Sequence, residues 1–380
     1  MANHFDIHAA LSLAQRPGPF VTITLPVTGQ LAADRTQFQS LMQTAKQRLT
    51  ILAPNRDWGA YQPAFAPFAH GSLTHGNARG LLIMAGATTS FHYWLHTPTQ
   101  PTVAVTYQPN VLPILAARQA HGDYDVLFLK RTSFQVARVR SGQPELVDLP
   151  ADAPATLETA LGTETRERGR WQRSNGTDQG THYSGTGSLD RMQAADTRNY
   201  FQVVDRYVLD NYSQPGQRPL VLVAAPQDQG NFRQWSRNRF LVADVTLNER
   251  PNLANETLAQ ITARIDAQWH QRAVESRRGH YDQARSANQL VTDLGLLATL
   301  TGQGQISDLW LRDDAFQAGH LDSQGNIVTL TALSRQNNLY NDLALAVCRR
   351  GGTVRVLPAA DLPTDQVIVA KRLQGMPIPV

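Results

Sequence analysis

Residues 125–150 read DVLFLKRTSFQVARVRSGQPELVDLP, residues 198–212 read RNYFQVVDRYVLDNY, and residues 219–226 read PLVLVAAP. The first run predicts three short strands, Asp125–Lys130, Phe134–Arg140 and Glu145–Leu149, with a hairpin turn at Ser141 and Gly142. In the second, Phe201, Val204 and Val208 repeat at helical spacing, with Tyr200 and Tyr207 beside that stripe. The third, Leu220–Ala225, is an apolar run of the length of a buried strand. Asn231–Arg237 and Phe240–Val245 predict a further helix and strand. Strands joined through helices in this way predict an α/β unit.

Between these elements lies ETRERGRWQRSNGTDQGTHYSGTGS, residues 164–188. It is basic, glycine-rich and almost free of aliphatic side chains, so it predicts a long loop before the helix. A loop of that length inside a compact domain is uncommon unless it is functional or disordered, and loops on rigid scaffolds tend to carry function. Arg166, Arg168, Arg170 and Arg173, with Trp171 among them, are candidate RNA contacts: guanidiniums neutralise phosphates and an indole stacks a base. Glu164 and Glu167 dilute that charge, and a solvated loop is the competing reading. Gly185 and Gly187, on either side of Thr186, open backbone conformations closed to other residues. Amides exposed there can meet a phosphate or a carbonyl. This is not a P-loop, because no Gly-Lys-Ser/Thr follows. His182 has the ordinary pKa of a general base, but no Ser or Cys nucleophile with an orienting carboxylate stands beside it.

Working outward, the chain of 380 residues is long enough for two or three domains. The first segment, 1–122, predicts a strand at Phe20–Leu25, a helix at Thr36–Leu52, strands at Leu81–Met84, Phe91–Leu95 and Val103–Tyr107, and a helix at Val111–Ala120. The middle segment is 123–250. The third, 251–380, opens with helices at Asn255–Glu275, Tyr281–Ala287 and Gln289–Leu300. It continues with strands Ile306–Arg312 and Ile327–Thr331, helix Asn338–Arg350, and strands Thr353–Leu357 and Gln366–Arg372. This alternation predicts an α/β sandwich.

Composition excludes several classes. The single cysteine, Cys348, rules out a disulfide framework or a cysteine-based zinc site; its apolar helical surroundings read as a buried structural thiol. No 18-residue apolar run predicts a membrane span, and the N-terminus lacks the basic region and cleavage site of a signal peptide. A cytoplasmic protein without a membrane or DNA partner is expected. Net charge is only +4, but three of the 35 cations are lysines (Lys46, Lys130, Lys371) and the other 32 are arginines. Arginine suits phosphate and base recognition, although compositional bias gives the same count. His4/His8 and His92/His96 have the i,i+4 spacing that chelates metal on a helix, yet neither pair has a third ligand, and no metal or cofactor is expected. Asp125, Asp205 and Asp210 are the carboxylates a nuclease reading would need. They form no recognisable metal set, and Asp205 and Asp210 read as the polar face of their helix.

Three stretches resemble the bacterial homologues of the archaeal and eukaryotic class-1 release factors and Pelota, the group called baeRF. They are the strand–helix run VTITLPVTGQLAADRTQFQSLMQTAKQRL, the middle run quoted above, and the C-terminal run containing QISDLWLRD, NDLALAVCRRGG and GGTVRVLPAADLPTDQVIVAKRL. The resemblance implies three α/β domains, the middle one RNase H-like with a long glycine loop and the last resembling kink-turn-binding ribosomal proteins. It implies a ribosome or structured-RNA partner, in rescue, hibernation or a related role, and raises a translational GTPase as a further partner. In release factors the middle loop carries Gly-Gly-Gln, which helps water attack the peptidyl-tRNA ester. Here the place holds Ser184-Gly185-Thr186-Gly187-Ser188; the nearest glutamines, Gln179 and Gln193, lie outside it. The expectation is therefore a binding protein without peptide release. The rival readings are a peptidyl-tRNA or other ester hydrolase acting through residues 182–188, and an RNA- or protein-binding module with no ribosomal role.

Overall fold

The computed structural model describes residues 7–71, 73–75, 78–95, 99–117, 123–140, 142–162, 186–322, 324–328 and 337–373, the side chains of 7–9 and 186–192 excepted. The chain forms two compact units: Met1–Ala120 together with Ala273–Val380, and His121–Arg272. The architecture is α/β throughout, as expected, with three main sheets, one in each of the three segments.

In the unit His121–Arg272, five strands stand in the order Gln143–Leu146, Ser133–Arg140, Tyr124–Lys130, Leu220–Ala224 and Leu241–Asn248. The first two of the neighbouring pairs are antiparallel and the last two are parallel. Parallel neighbours need crossover connections, and helices Thr186–Val208 and Pro226–Trp235 lie in them. Period-two alternation sorts the side chains into two cores. Leu127, Leu129, Phe134, Val136, Leu220 and Leu222 pack with Tyr200, Phe201, Val204 and Val208. Val126, Phe128, Ala137, Val139, Val221 and Val223 pack with Ile261 and Ile265. Burial on both faces is why the central strands read as continuous apolar runs.

In the other unit, the N-terminal sheet has the order Ser90–Leu95, Gly80–Ala85, Phe20–Pro26, Thr102–Thr106, with all pairs antiparallel. Val21, Ile23 and Leu25 face Phe38, Ala45 and Leu49 of helix Leu31–Leu52. Phe20, Leu82, Met84 and Tyr93 instead share one core with Leu309, Leu311, Leu339, Leu343 and Val347 from the other end of the chain. Asn341 fixes this junction: its Oδ1 accepts from Val111 N at 2.8 Å and its Nδ2 donates to Pro109 O at 3.1 Å. The C-terminal sheet has the order Leu290–Val291, Ile368–Arg372, Ile306–Arg312, Thr353–Leu357, and only the last pair is parallel.

Several elements differ from the sequence expectation. Asn255–Glu275 and Tyr281–Ala287 belong to one helix, Leu258–Ser286, because a single glycine such as Gly279 costs a helix only about 1 kcal/mol. The helix expected at Gln289–Leu300 is a strand, Leu290–Val291, followed by a helix, Leu294–Gly302, whose N-cap Asp293 accepts from Leu296 N. Helix Gln62–His70 was hidden by two prolines, one at its start and one, Pro67, inside it. Cys348 is half-buried rather than buried. Among the described residues no helix is long and apolar enough to cross a membrane.

Candidate nucleic-acid interface in the middle unit

In sequence, the segment with the candidate arginines stands between two anchored elements. Before it, helix Leu157–Leu161 starts with a reciprocal capping box: Thr156 accepts from Thr159 N, and Thr159 accepts from Thr156 N. After it comes helix Thr186–Val208. Tyr200, Phe201, Val204 and Val208 are all fully buried, Phe201 meets Phe232 edge-on at 5.8 Å, and Arg198 lies over the Trp235 ring at 5.7 Å. Tyr200 OH donates to Ala155 O at 3.1 Å, which ties this helix to the chain entering Leu157–Leu161. Burial pushes the Tyr200 hydroxyl pKa above its ordinary value.

Arg166, Arg168, Arg170, Trp171, Arg173, His182 and Gly185 lie outside the described residues. Thr186 and Gly187, expected in the loop, form the first turn of the helix instead. The strong helix formers that follow, Leu189, Arg191, Met192, Gln193, Ala194 and Ala195, carry the helix back this far. Of the histidine pairs, His4 and His96 lie outside the described residues, and His92 is exposed on a strand. Among the described residues no group of three potential metal ligands occurs.

The three carboxylates do not converge. Asp210 is exposed. Asp205 does not lie on a polar face, contrary to expectation: it is 5% exposed and accepts from Ser236 Oγ and, at 2.8 Å, from Arg237 N. It therefore anchors the chain after helix Pro226–Trp235. Its burial could have been read from spacing, since it stands four residues after Phe201 and three before Val208. Asp125 is fully buried and taken up by two arginines. Its Oδ1 accepts from Arg138 Nε at 2.9 Å and from Arg218 Nε at 3.4 Å, and its Oδ2 from Arg218 Nη2 at 3.3 Å.

Residues 122–267 match the family model of Bacterial archaeo-eukaryotic release factor family 6. That match covers the middle of the chain and leaves its two ends outside. The sequence resemblance to baeRF proteins is thus borne out where the sheet, the helix Thr186–Val208 and the Asp125 cluster lie. Among solved structures, the chain is similar to an archaeal translation termination factor, aRF1, at 11% identity, covering 96% of each chain with a TM-score of 0.24. It is similar to the Pelota of a model of ribosome-bound archaeal Pelota and ABCE1 at 10% identity, covering 98% of this chain and 94% of that one, with a TM-score of 0.39. It is also similar to S. cerevisiae Dom34, described as a termination-like factor interacting with Hbs1, at 12% identity, covering 76% of this chain and 73% of that one, with a TM-score of 0.35. No curated protein matches the chain.

Within the matched segment, the charged groups that come together are two cations over one carboxylate. Arg138 lies over the Tyr212 ring at 6.0 Å. The Tyr212 hydroxyl is pushed up to about 12, first by burial and then by its bond to Tyr207. Sequence reasoning passed over Arg138 and Arg218. For Arg138 the signal was present: it continues the alternating stripe of Phe134 and Val136, and an arginine on a buried stripe implies an acidic partner. Arg218, at the turn before Pro219, gives no such signal.

Proposed function

We propose that the protein is a ribosome- or structured-RNA-binding factor of the release-factor/Pelota type, acting by occupying a site rather than by cleaving a bond. The family match over 122–267 is the observation that carries this reading. Three features support it. The cations are almost all arginines, four of them, Arg166, Arg168, Arg170 and Arg173, clustered with Trp171. The position of the family's catalytic glutamine is filled by Ser184-Gly185-Thr186-Gly187-Ser188. The one fully buried aspartate of the middle sheet, Asp125, is bonded to two guanidiniums, which leaves it poorly placed to gather a metal for nuclease chemistry. A rescue or hibernation role, a partner GTPase and a cytoplasmic location belong to the same proposal.

Co-sedimentation with purified ribosomes across a salt series tests it. Binding through arginine–phosphate contacts should weaken steadily with salt, because each contact releases counterions. Replacing Arg166, Arg168, Arg170 and Arg173 together by glutamine should lower binding and flatten the salt dependence. Failure to pellet with ribosomes at low salt would refute the ribosomal role, and failure to bind a structured RNA as well would overturn the reading.

A further inference from the structure

We infer that Arg138 and Arg218 form a built clamp for one phosphate group, and that its natural occupant is a phosphodiester of an RNA backbone. The clamp follows from geometry alone; the RNA source rests on the function proposed above.

The charge balance comes first. Two guanidiniums share one carboxylate, so one positive charge at this end of the sheet is left over. The side chain of Asp125 is 1% exposed, whereas those of Arg138 and Arg218 are 19% and 21% exposed. The anion is thus inside and the cations sit above it, at the surface. Among the described residues no second carboxylate bonds either arginine. Glu145, opposite Arg138 in the strand register, is exposed and not bonded to it. Arg140, next outward on the same strand face, adds a further exposed cation.

Donor geometry comes second. Asp125 engages Nε of Arg138, and Nε and Nη2 of Arg218. Both Nη groups of Arg138 and Nη1 of Arg218 remain to donate. Planar forks of this kind match the oxygens of phosphate.

Rigidity comes third. The Arg138 guanidinium is backed by the buried Tyr212 ring. Arg218 folds back against Gly216, where a Cβ would stand 2.4 Å from Nη2 and 2.5 Å from Cζ. The left-handed backbone at Gln217, φ +49°, turns the chain for this approach. Side chains already held in one geometry lose little freedom on binding. The clamp adjoins Tyr212, past the C-terminal end of helix Thr186–Val208, whose 23 residues span about 34 Å at 1.5 Å per residue.

The test follows the Nε–Hε resonances of Arg138 and Arg218 by 15N NMR in the full chain, with inorganic phosphate and then a short oligouridylate as probes. Phosphate at constant ionic strength should shift both signals saturably, and chloride should not. The oligonucleotide should shift the same signals at lower concentration. A fold-preserving variant, Asp125→Asn with Arg138→Gln and Arg218→Gln, exchanges the three charges for amides without stranding a buried ion. Its single-stranded RNA binding should lose about 0.7 from the slope of log K against log salt, the share of one phosphate. Signals that ignore phosphate, or a variant with unchanged slope, would overturn the clamp. Signals that respond to phosphate but not to RNA would overturn its RNA assignment. Wild-type protein that fails to pellet with ribosomes while its signals respond to both probes would refute the ribosomal role and leave the clamp standing.

Discussion

Asp125 in the middle unit and Asp342 in the unit formed by the two chain ends are both buried, at 0% and 5% exposure, but their partners differ in kind. Asp125 sits under two guanidiniums. Asp342 has only neutral donors: Leu321 N and Asn337 Nδ2 both reach its Oδ2 at 3.2 Å, and its Oδ1 has no partner. Arg349 attracts it from a distance, while its own bonds go to Ala14 O and Gln108 Oε1. Burial therefore pushes the Asp342 carboxyl up to about 6. A buried carboxylate matched by cations organises charge at the surface above it; one held by neutral donors weakens the fold near neutral pH.

The largest effect should come from stripping Asp125 of its cover. Arg138→Ala with Arg218→Ala leaves a buried carboxylate unpaired and should cost about 3–5 kcal/mol in urea unfolding. Adding Asp125→Asn should recover most of it. An unaffected double variant would mean that Asp125 is not sealed from water.

Next comes Asp342. Its folded pKa of about 6 lies above the ordinary 3.8, so the folded state binds the proton more tightly than the unfolded one. The stability linked to this group is complete below the ordinary value and is lost as pH rises through about 6. At about 1.4 kcal/mol per pH unit, ionised Asp342 costs roughly 3 kcal/mol at neutral pH. Asp342→Asn should stabilise the fold at pH 7 and flatten the stability profile between pH 4 and 6. A profile identical to wild type would remove the contrast with Asp125.

Gly216→Ala should have a smaller effect. Its methyl group must displace the Arg218 guanidinium, the end of a flexible side chain, at a cost of about 1 kcal/mol for the hydrogen bond lost. Phosphate response at Arg218 should fall while that at Arg138 persists. Smallest of all, Arg349→Met removes the one cation that lowers the Asp342 carboxyl, and should move the pH midpoint of the stability profile upward.

Much of the middle fold was legible because its code is local. Leu220–Ala224 is apolar on both faces, and Phe201, Val204 and Val208 keep helical register, so periodicity identifies both. The joint between the chain ends was not legible. Asn341 finds Val111 and Pro109 across 230 and 232 residues, and no local pattern encodes such a pair. The clamp was half legible: Asp125 and Arg138 lie on buried stripes of adjacent strands, but Arg218 arrives through a turn. The helix start at Thr186 was not legible from the apolar stripe, which begins only at Tyr200; the helix formers from Leu189 to Ala195 extend the helix by propensity.

If the factor occupies its site without cleaving a bond, ribosomes loaded with peptidyl-tRNA should bind it and keep their peptide. At saturating protein, bound factor should pellet with the ribosomes while the peptide stays on its tRNA, because no glutamine stands at Ser184–Ser188 to position water. Robust release that survives His182→Ala but is lost on Gly185→Ala or Gly187→Ala would contradict the account, since it would assign the reaction to the backbone around those glycines.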